Sequence, residues 1–426
     1  MNKHEYPKVK ETVYSETLDN GLTVYVLPKE GFSKTFATFS TKYGSVDNHF
    51  AVGDEPPIRV PDGIAHFLEH KMFEEPEGDI FATFASNGAS ANAYTSFDRT
   101  VYLFSATDRV RENVTTLINF VQNPYFTEEN VEKEKGIIGQ EIKMYQDQPD
   151  WRVYFGLIEA MYHKHPVHID IAGTIESIHE ISKDTLYRCY RTFYHPSNMT
   201  VFIVGGVDPA EMIELVKANQ AGKTFEPQGE IRRLFEAEPA EVKLARKDVK
   251  LPVSIPKCMF GIKETKVGFA GAELLRREVV TKLLFDMLFS PSSKLYQELY
   301  DEKLITDSFG AEYNASEQYA FSVIGGDTRD PDALVERVRQ GVEAWRASGI
   351  PEELFERTRR KKIGGFYRLF NSPEAIAGEF TKHRFRGTNV FDILDLYEQV
   401  TLDEVEARLQ EHFDWNQLSV CVVKSE

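Results

Sequence analysis

Ile181-Ser182-Lys183-Asp184-Thr185-Leu186 and Val400-Thr401-Leu402-Asp403-Glu404-Val405 align at one offset. The same shift lays Tyr194-His195-Pro196-Ser197-Asn198-Met199-Thr200-Val201 on Phe413-Asp414-Trp415-Asn416-Gln417-Leu418-Ser419-Val420. Polar and apolar classes mostly correspond through a helix and into a strand without a gap, which chance seldom sustains over about twenty residues. The chain therefore reads as two halves of similar fold. Residues 220–241, rich in Gly, Pro and charge and lacking a sustained period, separate them. The expected organisation is a first domain over 1–230, a linker and start of the second domain over 231–248, and a second domain over 249–426.

Bulk properties agree. At 426 residues the chain exceeds one ordinary core. With 42% hydrophobic and 27% charged residues it has the composition of a folded globular protein. A net charge of −17 argues against a general nucleic-acid binder, which needs a basic field to displace phosphate counterions. Cys189, Cys258 and Cys421 are odd in number and widely spaced, as expected of core thiols. The opening Met1-Asn2-Lys3-His4-Glu5-Tyr6 lacks a signal-peptide core, and no apolar run reaches the length of a membrane span. The expected address is the cytoplasm.

Strand patterning over 22–27 and 35–39, around the turn signal Glu30-Gly31, predicts a pair of strands. Asp62 is placed to cap a helix running through His70. A second strand region is expected over 93–105 and helices over 109–121 and 127–145, the last opening on the capping residue Thr127.

In the first of these helices stands His66-Phe67-Leu68-Glu69-His70. One turn apart, the two imidazoles project from one face and reach a single ion about 2.0–2.1 Å from each. Glu69, three residues after His66, is placed to take a proton from a zinc-activated water as general base. Two histidines leave a catalytic zinc short of one protein ligand. On the helix after Pro124, the apolar positions Val131, Ile138, Ile142 and Tyr145 define an inward side that includes Glu134 and Glu141, whereas Glu132 falls on the solvated side. Periodicity does not choose between Glu134 and Glu141. Aligning Thr127-Glu128-Glu129 with Pro351-Glu352-Glu353 puts Thr358 opposite Glu134 and Gly365 opposite Glu141, and the second half has no His-x-x-Glu-His. The chemistry is confined to the first half.

With Gly63-Ile64-Ala65-His66-Phe67-Leu68-Glu69-His70-Lys71-Met72-Phe73, Gly88-Ala89-Ser90-Ala91-Asn92-Ala93-Tyr94-Thr95 and Glu134-Lys135-Gly136-Ile137-Ile138-Gly139-Gln140-Glu141 in this order, the whole chain resembles the pitrilysin and mitochondrial-processing-peptidase family of inverted zincins. The resemblance implies an α+β fold of two homologous sandwich domains, each a mostly antiparallel sheet covered by helices. It implies one Zn2+ per chain on His66, His70 and Glu141, catalysis by Glu69, and Glu134 as an outer carboxylate orienting a ligating imidazole. Asn92 and Ala93 would lie on an edge strand where a peptide substrate docks by strand addition.

Relatives that work as complete units carry an Arg and a Tyr in the second domain that hold the substrate over the metal. Here Tyr300 stands where the Arg is expected, and Thr306 or Asp307 where the Tyr is expected. The expected partner is thus a homologous chain supplying this clamp in a heterodimer, with a homodimer as alternative. Residues 50–61 lengthen the path to the zinc helix and read as a surface insertion rather than a lid. His163, His165 and His168 flank Pro166 and read as a satisfied structural cluster, not a second metal site. The leading expectation is a zinc-dependent endopeptidase. Its rivals are a non-catalytic assembly subunit and a maturation protease for one precursor peptide.

Overall fold

The computed structural model describes residues 1–76 and 78–425. Strand Met199–Gly205 is apolar on both faces and buried along its whole length, so it belongs in the middle of a sheet. It pairs parallel with Thr23–Pro28 on one side and antiparallel with Thr35–Thr41 on the other. The two strands expected to pair around Glu30-Gly31 are therefore not partners. The turn is real, but the central position between its arms is taken by a strand from far along the chain. The sheet runs in the order Asn2–Tyr6, Glu11–Thr17, Thr23–Pro28, Met199–Gly205, Thr35–Thr41, Thr100–Ala106, Ala89–Thr95. Ala89–Thr95 is one of its two edges, Asn2–Tyr6 the other.

A second sheet repeats the last five positions as Arg246–Lys250, Leu418–Lys424, Lys257–Ile262, Ala320–Asp327, Gly310–Ala315. It has the same single parallel pair, between Arg246–Lys250 and Leu418–Lys424. The matched helices Lys183–Phe193 and Leu402–His412 both begin with a capping box, on Ser182 and Thr401. The fold is a mixed α/β architecture of two related units.

These units interleave in sequence, unlike the expected contiguous division. One comprises Met1–Ile142, Ile169–Phe235 and Arg368–Phe385; the other comprises Lys143–His168, Glu236–Tyr367 and Arg386–Glu426. In the first, strand alternation sends Val201 and Ile203 into the main core and turns Phe202 the other way, stacked on Phe380 of helix Pro373–Phe385 at 4.3 Å between ring centroids. In the second, Val420 and Val422 face the core, while Cys421 turns to helix Pro149–Met161. A Cβ on Gly156 would lie 2.6 Å from the Cys421 sulfur, so a small residue is required there. Cys189, Cys258 and Cys421 are all buried free thiols.

Residues 50–61 are no appendage. His49–Val52 pairs with Ile58–Arg59 and with Ile231–Arg233 from the expected linker. Phe50 is fully buried, edge-on to Phe193 at 4.7 Å. Among the described residues no helix is long and apolar enough to cross a membrane.

Candidate metal centre

The helix Ile64–Lys71 buries seven of its eight residues, which fixes its rotation and depth. Its N-cap is Gly63, in the left-handed region at φ 86°, and not Asp62. A side chain at 63 would meet the Ala172 carbonyl oxygen at 2.4 Å, so the helix start packs directly on the 172–173 backbone. Asp62 instead accepts a hydrogen bond from Asn48 at 2.6 Å.

The His66 and His70 rings project side by side with centroids 4.5 Å apart. The helix expected over 127–145 is Glu128–Gln146, capped as foreseen by Thr127, whose hydroxyl accepts from the Asn130 N–H at 3.0 Å. From it Glu141 brings Oε2 to 3.7 Å from His66 Nε2 and 3.4 Å from His70 Nε2. Ligands about 2.0–2.1 Å from a tetrahedral ion stand about 3.3–3.4 Å apart, so Glu141 is within a few tenths of an ångström of that spacing from each imidazole, and all three ligand atoms lie within 4.8 Å of one another. His66, His70 and Glu141 are the one such group of potential metal ligands among the described residues.

Glu134, two turns earlier, takes a different place: its Oε1 is 3.1 Å from His70 Nδ1, the ring nitrogen opposite the one facing Glu141. Its Oε2 is 3.5 Å from Lys71 Nζ, which also pairs with Glu74. Glu132 is exposed and pairs with Lys135. Glu69 is buried and accepts a hydrogen bond from Thr95 Oγ1 at 2.6 Å. Spacing alone assigns no role to Thr95, Lys71 or Glu74; the one signal for Lys71 is a lysine within the run Leu68 to Phe73.

Burial drives the His66 pKa down to about 3, with His70 adding to the effect, so this imidazole offers a lone pair. For His70 burial acts in the same sense but is outweighed by the hydrogen bond to Glu134 and the charges of Glu69 and Glu141, and its pKa is raised. Burial raises Glu69, with the Thr95 hydrogen bond opposing. Burial would also raise Glu134, but its bond to His70 and the Lys71 charge bring it below the usual value.

Ala89–Thr95 lies beside this helix with one side unpaired. The Ser96 N–H donates to the Arg99 carbonyl, so alternation turns the N–H and C=O of Ala91, Ala93 and Thr95 to the free edge. The Ala93 N–H is met there by the Asn92 carboxamide oxygen at 2.9 Å. Ala93 thus presents main chain to the edge, and Asn92 presents only its exposed side chain.

In the other unit Tyr300 is 54% exposed, on the last turn of helix Lys294–Asp301. The histidine segment is tied by its backbone, with the N–H groups of His163, Lys164 and His165 each donating to Glu238 at 2.8 Å.

Residues 59–175 match the family described as Insulinase (Peptidase family M16), and residues 180–362 match the Peptidase M16 inactive domain. The chain is 51% identical to the uncharacterized zinc protease YmfH of Bacillus subtilis (strain 168), over 98% of both chains. An M16-like peptidase from Alicyclobacillus acidocaldarius superposes with a TM-score of 0.95 at 42% identity, covering 98% of this chain and 99% of that one. The periplasmic protease PqqL of Escherichia coli shares the fold at 18% identity and a TM-score of 0.75; the match spans 100% of this chain and 48% of PqqL.

Proposed function

The chain belongs to peptidase family M16, and from that premise we propose that it is a zinc-dependent endopeptidase in which His66, His70 and Glu141 hold the metal and Glu69 is the general base. The observation that carries this reading is the convergence of three ligand atoms of zinc-binding type beside a buried carboxylate that is itself held in place. Zinc bound there would polarise the scissile carbonyl and acidify a water. Glu69 accepts the proton of the attacking water and returns it to the leaving amine, a double task suited to a carboxyl whose pKa burial has raised. Glu134 orients His70 through Nδ1. An extended peptide adds to the free edge of Ala89–Thr95 through the main chain of Ala91, Ala93 and Thr95, displacing the Asn92 carboxamide from the Ala93 N–H.

Tyr300, Thr306 and Asp307 provide no Arg and Tyr clamp. A chain of roughly twice this length, as PqqL is, has room for a second copy of this fold. A homologous partner chain that completes the substrate site follows as the second part of the proposal.

The test is metal analysis and turnover on the same preparation. The purified chain should hold close to one zinc. Glu69→Gln should keep it while losing about 10²- to 10⁴-fold in kcat. Hydrolysis by metal-free protein would sink the assignment. Full activity of the isolated chain on generic peptides would remove the partner.

A further inference from the structure

The side chain of Lys71 has no solvent-exposed surface, although it directly follows His70. A buried ammonium is costly unless it is compensated, and Lys71 has two carboxylate partners: Glu74, three residues on and past the end of the helix, and Glu134 Oε2 at 3.5 Å. The other Glu134 oxygen meets His70 Nδ1 at 3.1 Å, while His70 Nε2 faces Glu141 at 3.4 Å. Lys71, Glu134, His70 and Glu141 thus form one line from a buried cation to the metal position. One Glu134 oxygen is pinned by the ammonium, which aims the other at the ring.

Charge points the same way. Glu69, Glu134 and Glu141 bring three carboxylates around His70, and Glu74 adds a fourth on the far side of Lys71, whereas a bound dication offsets only two. Lys71 forms ion pairs with two of them, Glu74 and Glu134.

We propose that Lys71 is a positioning residue of the metal centre, acting through Glu134 to fix the orientation of His70 and thereby the affinity for zinc. The proposal rests on His70 being a zinc ligand. It differs from a purely structural ion pair, which would support folding without bearing on the metal. The same unit supplies a control, because Lys29 and Glu11 form another largely buried pair that the centre does not use.

The experiment is competition for Zn2+ between the full chain and a chromophoric chelator, with thermal melts alongside. Lys71→Met should weaken zinc binding about 10- to 100-fold, the usual cost of losing a partner of a metal ligand. On a Glu134→Gln background the same change should cost less than about threefold more, because the two residues act in series. Lys29→Met should lower the melting temperature and leave zinc affinity unchanged. A folded Lys71→Met with wild-type affinity overturns the proposal, and so does a loss fully additive with Glu134→Gln. If Lys71→Met does not fold, Lys71→Gln, which keeps a hydrogen-bonding group without the charge, is read by the same two criteria. A wild-type chain that binds no zinc overturns the metal assignment itself, and this inference with it.

Discussion

Glu69 is buried next to His70 and its Oε2 is held by the Thr95 hydroxyl at 2.6 Å. A carboxylate proposed as the base and held in place in this way loses little time in unproductive rotamers, and a hydrogen bond to a charged group contributes about 1.5–3 kcal/mol. Thr95→Val removes the donor and keeps the shape, so kcat should fall about tenfold or more while zinc content stays at the wild-type level. Equal loss of zinc and of kcat would show that Thr95 supports the helix rather than the base. At this scale the sequence was informative wherever the arrangement of side chains followed from spacing. His66, Glu69 and His70 lie on one short helix, whose geometry leaves them no other arrangement. Helical periodicity put Glu134 and Glu141 on one side but did not separate them. The difference is which imidazole nitrogen each one faces, a matter of ring orientation that no spacing encodes. Lys71 escaped because hydrophobic patterning treats a lysine as solvated, and its burial depends on Glu134, far along the chain.

The edge strand Ala89–Thr95 is the element whose main chain is at stake. Proline is tolerated in a sheet only where its missing N–H would have faced away from the ladder, and position 93 meets that condition. Ala93→Pro should therefore leave the thermal melt within a few degrees of wild type and raise KM for extended peptides about tenfold or more. An unchanged KM would exclude docking on this edge. A second element, the segment carrying His163, His165 and His168, is fastened by Glu238. Burial opposes ionisation of Glu238, but three backbone N–H groups and Lys263 overcome this and bring its pKa down to about 2. The folded value lies below the unfolded one, so this contribution to stability is complete above about pH 4.5 and is lost as pH falls towards 2. Glu238→Gln should cost about 2–3 kcal/mol at neutral pH. In urea melts the gap between variant and wild type should close on acidification; a gap independent of pH would refute the assignment. Capped helices such as Glu128–Gln146 were legible because their signals are local. The pairing of 22–27 with 35–39 was misread because the strand that parts them arrives from residue 199 onward.

For the whole molecule, the repeat was readable at one offset, and the second sheet follows the first strand for strand. The exchange of helices was not readable, since sequence patterning shows that a helix has an apolar face and not which sheet that face covers. Pro149–Met161 and Pro373–Phe385 occupy corresponding places in the two halves, yet each belongs to the unit built mostly from the other half. The two contacts solve one packing problem oppositely: a large pair, Phe202 on Phe380, in the first unit, and a small pair, Cys421 on Gly156, in the second. A chain cut between 235 and 236 separates each sheet from one of the helices that cover it. Without Pro373–Phe385 the first unit loses the burial of Phe202, Ile376 and Phe380, at about 1.5–3 kcal/mol for each side chain. Such a loss is comparable to the entire stability of an ordinary domain. Fragment 1–235 should therefore be aggregation-prone and melt without cooperativity although it holds His66, Glu69, His70 and Glu141. Fragments 1–235 and 236–426 produced together should associate and recover zinc binding. A monomeric fragment 1–235 with a sharp melt and the zinc affinity of the full chain would show that the exchanged helix is dispensable. The metal centre would then depend only on its own half of the sequence.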